Sequence, residues 1–99
     1  MLNIEKNTNE TELTVSLTGR LDTTTAPELD KILKTSLDGV TDLTLDLERL
    51  EYLSSAGLRV LLSGQKAMNK QGTMTVRHVN ETIMEIFEIT GFSDILTIR

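Results

Sequence analysis

From Glu12 to Gly19 the chain alternates strictly: Leu13, Val15 and Leu17 are apolar, and Thr14, Ser16 and Thr18 between them are polar. A period of two is the mark of a strand with one face buried. The same alternation recurs in 42–47, with Leu43, Leu45 and Leu47 on one face, and in 73–78, where Met74 and Val76 stand opposite Thr73, Thr75 and Arg77. Leu2 and Ile4 predict a further short strand. The turn-like residues 7–11 separate it from the strand that follows, so the two should form an antiparallel hairpin. A last short strand is predicted from about Ile95 to Ile98.

Three stretches switch to helical spacing. Leu29, Ile32, Leu33 and Leu37 follow Pro27, which a helix accepts in its first turn because the missing N–H has no partner there. One of Thr23, Thr24 and Thr25 should cap this helix, and Gly39 ends it. A second helix is predicted over 56–70, with Leu58, Leu61, Leu62 and Met68 on its apolar side and Gly72 beyond its end. A third carries Ile83, Ile86, Phe87 and Thr90, capped by Asn80 and closed by Gly91. The order β-β-α-β-α-β-α-β predicts an α/β fold with parallel strands joined by right-handed crossovers. Strands buried on both faces read as continuous apolar runs. Here three strands keep Thr, Ser, Asp or Arg at alternate positions, which predicts a single mixed β-sheet with helices packed on one face.

Composition narrows the function. A chain of 99 residues is expected to be one domain, 1–99. Tyr52, Phe87 and Phe92 are its only aromatic residues, so Leu and Ile must fill the core, and no cysteine is present to form a disulfide. The formal net charge is −5, and Lys and Arg are spread singly. Without a basic stripe, nucleic-acid binding is disfavoured. The N-terminus has no basic stretch leading into an apolar one, and no run approaches the length of a membrane span, so no membrane insertion and a cytoplasmic location are expected.

Catalytic chemistry finds little to stand on. His78 is the lone histidine, and a metal site needs more strong ligands than it can supply. Gly57 and Gly64 do not form a phosphate-binding loop, so no cofactor is expected. A triad of Ser55, His78 and Asp94 would lack the Gly-x-Ser-x-Gly elbow. With no convergent acid, base and nucleophile, the chain is not expected to be an enzyme. Glu81, Glu85 and Glu88 fall at three- and four-residue spacing, as on a solvated helix face. Met68, Met74 and Met84 suit core filling or edge packing.

One segment remains, 52-YLSSAGLRVLL-62. Its two serines follow a parallel strand and open the second helix, at the carboxyl edge of the sheet, where open α/β sheets meet ligands and partners. The plain reading is that Ser54 or Ser55 caps the helix and does nothing more. The functional reading uses the same position: an exposed hydroxyl on a helix start, where a phosphate would be electrostatically welcome. Ala56 and Gly57 are small enough to admit a partner closely, and Leu53 and Leu58 add apolar surface divided between core and contact. Asp22 follows a strand and precedes a helix at the same edge, as a turn residue or a contact.

The segment 50-LEYLSSAGLRVLL-62 resembles the signature of anti-sigma factor antagonists of the STAS domain family, which reads apolar-Asp-Ser-Ser/Thr/Ala-Gly-Leu. The upstream 17-LTGRLDTTTAPEL-29 is similar to the family's Gly-x-Leu-Asp turn. The resemblance extends over the whole order of elements and implies a STAS fold. It also implies a switch. The serine after the Asp position is phosphorylated, with ATP, by a serine kinase that is itself the anti-sigma factor. The unphosphorylated antagonist binds that kinase and frees the sigma factor to activate transcription, and a serine phosphatase resets the cycle. Carried over by position, Ser55 matches the acceptor, Ala56 the variable small residue, Gly57 and Leu58 the Gly-Leu pair, and Asp22 the upstream acid. The implied partner surface is Asp22, Thr23, Thr24, Ser54, Ser55, Ala56, Gly57 and Leu58. Ser54 departs from the pattern by standing in the Asp position, where it could itself be modified or serve as the cap. The departure also fits a second expectation, a STAS subunit or scaffold with no phosphate cycle, such as a transporter accessory protein.

Overall fold

The computed structural model describes residues 1–99. Its elements are β1 (Leu2–Asn9), β2 (Glu12–Leu21), α1 (Ala26–Ser36), β3 (Asp42–Leu53), α2 (Ser55–Asn69), β4 (Thr73–Arg77), α3 (Glu81–Thr90), a 3-10 turn (Phe92–Asp94) and β5 (Thr97–Ile98). The five strands form one sheet in the order β1-β2-β3-β4-β5. β1 and β2 are antiparallel; every later neighbour is parallel. Each parallel step therefore passes through one helix.

The alternation sorts the residues onto two faces. Leu13, Val15, Leu17, Leu43, Leu45, Leu47, Met74 and Val76 are buried, together with Leu29 and Leu33 of α1, Leu58, Leu61 and Met68 of α2, and Ile83 and Phe87 of α3. Thr14, Ser16, Thr44, Asp46 and Thr75 lie on the opposite side, half-buried and uncovered by any helix. A buried leucine contributes about 1.5–3 kcal/mol through apolar area removed from water, so one well-packed face suffices to hold a sheet of this size. No helix is long and apolar enough to cross a membrane.

The structure departs from the sequence reading in four places. β1 runs to Asn9 instead of stopping near Ile4, and the loop to β2 is only Glu10 and Thr11, with Glu10 at φ 56°. Beyond Ile4 no core lies beneath β1, so its residues are polar and exposed on both faces and the period-two signal is lost. β3 extends past Leu47 to Leu53. Ser16 pairs with Asp46 and Thr18 with Arg49; Gly19 pairs with Leu50 and Arg20 with Tyr52. At each step β3 carries one extra residue, a bulge that turns the strand by one position. The inward residues become Leu47, Leu50 and Leu53, three apart, a spacing that breaks the period of two and reads more like a helix face than a strand. The end of the chain is a 3-10 turn followed by a two-residue strand, shorter than the predicted 95–98.

The fourth departure is the first helix cap. Thr25 holds the cap position of α1, but its side chain makes no capping bond. It is buried, and its hydroxyl donates to the Arg20 carbonyl at 2.8 Å instead. The side chain that receives the loop's N–H groups belongs to Asp22.

Candidate functional site

The two adjacent serines have different surroundings. Ser54 has extended geometry (φ −93°, ψ 174°), as a cap residue must, and its N–H donates to the Leu21 carbonyl at 2.9 Å, pinning the helix start to the end of β2. Its hydroxyl accepts the Gly57 N–H at 3.3 Å, and its carbonyl accepts the Leu58 N–H at 2.9 Å. Ser54 is thus the cap. Ser55 is the first helical residue and exposed, and its hydroxyl engages no other group of the chain. The N–H groups of Ser55 and Ala56 have no acceptor within the helix.

Gly57 explains how the helix start sits so low on the sheet. It is buried, and a Cβ there would stand 2.7 Å from both Leu21 Cγ and Leu53 Cδ1. Those two leucines end β2 and β3 and pair with each other. The absence of a side chain lets α2 begin directly over that pair. Leu58 points the same way and is 6% exposed. Its expected place on the partner surface is therefore corrected: with Leu61, one turn on, it faces the sheet, and Leu53 is likewise core. Ala56 is half-buried.

The neighbouring loop is organised around Asp22. Its Oδ1 accepts the Thr24 hydroxyl at 2.7 Å, the Thr24 N–H at 3.0 Å and the Thr25 N–H at 3.2 Å. The Asp22 N–H in turn donates to the Thr25 hydroxyl at 2.9 Å. The Thr24 hydroxyl does most to hold the Asp22 carboxyl below the usual aspartate range; desolvation opposes it, and the Thr24 and Thr25 N–H groups add to the lowering. Oδ1 is committed to the loop, while Oδ2 faces Arg20 Nε at 3.9 Å. Thr23 and Thr24 are exposed.

Two residues that the sequence reading passed over lie at the same edge. Arg20 and Tyr52 are paired across β2 and β3, and the Arg20 guanidinium sits 4.3 Å from the centre of the Tyr52 ring. Tyr52 is 38% exposed. Leu21 and Leu53 beside them face α2, so the arginine and its aromatic ring lie on the other face of the sheet at the same edge, a surface of the composition favoured at protein contacts. Their adjacency depends on the second bulge of β3, so the sequence alone gave no sign of it.

Other candidate groups lie elsewhere. His78, at φ 58°, places Nδ1 3.1 Å from Asp46 Oδ1, and Asp46 also accepts the Glu48 N–H at 3.0 Å. His78 thus follows β4 beside Asp46, while Ser55 lies beyond the far end of β3, so the two are not brought together. No group of three or more His, Cys, Asp or Glu residues is placed to hold a metal ion.

With this geometry in place, comparison with known proteins is decisive for the family. The family profile described as Mlab, STAS domain, matches residues 4–97. The chain belongs to the STAS domain family. Among relatives of this STAS chain, an anti-sigma-B factor antagonist of Staphylococcus aureus is 34% identical over 100 residues, covering 99% of this chain and 93% of the relative. An anti-sigma factor antagonist from Mycobacterium paratuberculosis has the same fold, with a TM-score of 0.88 at 22% identity over 99% of this chain and 85% of its own. The Bacillus cell fate determinant SpoIIAA in its phosphorylated form superposes with a TM-score of 0.77 at 17% identity, covering 98% of this chain and 91% of that one. The mixed sheet with its helices on one face is the STAS fold.

Proposed function

We propose that this STAS protein is an anti-sigma factor antagonist switched by phosphorylation of Ser55. Unphosphorylated, it docks the start of α2 and the Asp22 loop against a serine-kinase anti-sigma factor and so frees the sigma factor to activate transcription. The kinase transfers phosphate from ATP to Ser55, the complex parts, and a serine phosphatase restores the hydroxyl. The chain is the substrate of this cycle and not its catalyst, and the cycle runs in the cytoplasm, where sigma factors act. One observation carries the proposal: Ser54 does the capping, which leaves the Ser55 hydroxyl exposed and unengaged. The names of the relatives support the same reading.

The physics of release is electrostatic. A phosphate adds about −1.5 to −2 charges. The first turn of α2 contains no acid, so a partner that fits the unmodified site meets no negative charge there. After transfer it must accommodate both charge and bulk, and like-charge or desolvated juxtaposition at an interface costs several kcal/mol.

Titration of the kinase with native protein, Ser55→Ala and Ser55→Asp tests this, together with intact mass and peptide mapping after incubation with kinase and ATP. Ser55→Ala should bind and accept no phosphate, while Ser55→Asp should bind at least about tenfold more weakly, equivalent to 1.4 kcal/mol. Unchanged affinity for both variants, with no phosphate on Ser55, would refute the switch. That result would favour a static STAS subunit, the reading to which Ser54 in the Asp position lends support.

A further inference from the structure

Arg59 lies four residues after Ser55 on α2, and both side chains are exposed. Residues four apart share a helix face with Cβ atoms about 5–6 Å apart. Arg59 takes part in none of the chain's ion pairs, which join Arg20 to Asp22, Lys34 to Asp30 and His78 to Asp46. Its own helix offers no carboxylate to compete: the positions three and four residues away are Ser55, Ala56, Leu62 and Ser63. The first turn of α2 is also free of acids. A cation thus stands uncommitted one turn beyond an uncommitted hydroxyl.

We infer that Arg59 is the positioning residue for phosphorylated Ser55, pairing with the phosphate along the helix face and fixing how it is presented. The inference rests on the phosphate-acceptor reading of Ser55 and deepens it. Transfer forms the Ser55 Oγ–P bond and breaks the bond between the γ-phosphorus of ATP and its bridging oxygen. ADP leaves, and the hydroxyl proton passes to the kinase's base or to solvent. The product is a dianion at the beginning of a helix with a guanidinium one turn on. Arginine donates to phosphate through two parallel N–H groups, a geometry that limits rotation about the ester bond. The negative end of the pair lies toward the helix N-terminus, the orientation that the helix field favours. Arg20 is less available for this role, since it already stacks on Tyr52 and faces Asp22. Unphosphorylated, Arg59 is open to the partner; phosphorylated, it is engaged internally. The modification therefore adds a charge at one point and withdraws a cation from the contact at another.

The test uses the full chain with phosphoserine installed at position 55 during synthesis, so it does not depend on any kinase. The 31P resonance is followed through the second ionisation of the phosphate in three proteins: native, Arg59→Gln and Arg59→Lys. Pairing with a cation favours the dianion. Arg59→Gln should move the midpoint upward by about 0.3 pH unit, the equivalent of one i,i+4 ion pair, and Arg59→Lys should restore most of that shift. The other titratable or charged groups at this edge (Arg20, Asp22, Glu51 and Tyr52) are the same in all three proteins, so the difference isolates Arg59. Coincident midpoints would overturn the inference and leave the phosphate switch untouched. A kinase that leaves Ser55 unmodified would overturn the switch, whatever the midpoints show.

Discussion

Replacing each serine in turn separates the two jobs at the head of α2. Ser54→Ala removes the hydroxyl that accepts the Gly57 N–H at 3.3 Å. Loss of a serine cap typically costs about 1 kcal/mol. This bond is long, and the backbone bonds of Ser54 to Leu21 and Leu58 survive the substitution, so the lower half of the range applies, about 0.5–1 kcal/mol. For a domain of this size that corresponds to a melting temperature lower by about 2–8 °C. Ser54→Asp should recover most of the loss, because a carboxylate accepts the same N–H and suits the helix terminus. Ser55→Ala removes a hydroxyl that bonds to nothing, and alanine is at least as good a helix former, so stability should stay within about 0.5 kcal/mol of native. Urea unfolding followed by circular dichroism reads all three, with the m-value checked for constancy so that midpoints compare directly. Equal destabilisation by Ser54→Ala and Ser55→Ala would refute the division of labour, and so would a Ser54→Ala protein as stable as native.

Two further outcomes follow from the same edge. Gly57→Ala places a methyl where Leu21 and Leu53 already sit 2.7 Å away; overpacking costs about 1–3 kcal/mol, and the helix propensity of alanine returns at most about 1. The urea midpoint should fall, and a midpoint at or above native would show that the leucines move aside freely. Asp22 is held below the ordinary aspartate range in the folded chain, so its contribution is present above the unfolded value and lost as pH falls through the lower, folded one. The stability gap between native protein and Asp22→Asn, measured by urea midpoints at stepped pH, should therefore narrow below about pH 4. A gap constant down to pH 3 would contradict the hydrogen-bonded carboxylate.

How far the sequence could be read depended on what lay beneath each residue. Leu13, Val15 and Leu17 sit over the core and alternate in register with it, so β2 and the one-sided packing were legible from period alone. Asn80 and Gly91 act at the ends of α3 as their chemistry dictates, through the Ile83 N–H at 2.9 Å and a left-handed φ of 81°. Where a strand leaves the core, as β1 does after Ile4, the signal fades although the pairing continues. Where the pairing itself changes step, as at Leu47, Leu50 and Leu53, the signal becomes misleading, because a bulge is a property of two strands and only one can be read at a time. The site shows the same division. Ser54 and Ser55 were recognisable as a pair, but which one capped was decided by the geometry of the Leu21 and Gly57 contacts. Asp22 was legible as a turn residue, whereas the inward turn of Leu58 and the Arg20–Tyr52 stack emerged only from packing and register.

The unequal lengths of the strands have a last consequence. Arg77, the final residue of β4, lies level with Asp46, while β3 continues to Leu53, on the order of 20 Å further at the rise of a strand. The upper outline of the sheet is therefore stepped like a quay, with Ser55 at its outer end. The proposed docking of a folded partner at Ser55 would use this raised end as a ledge.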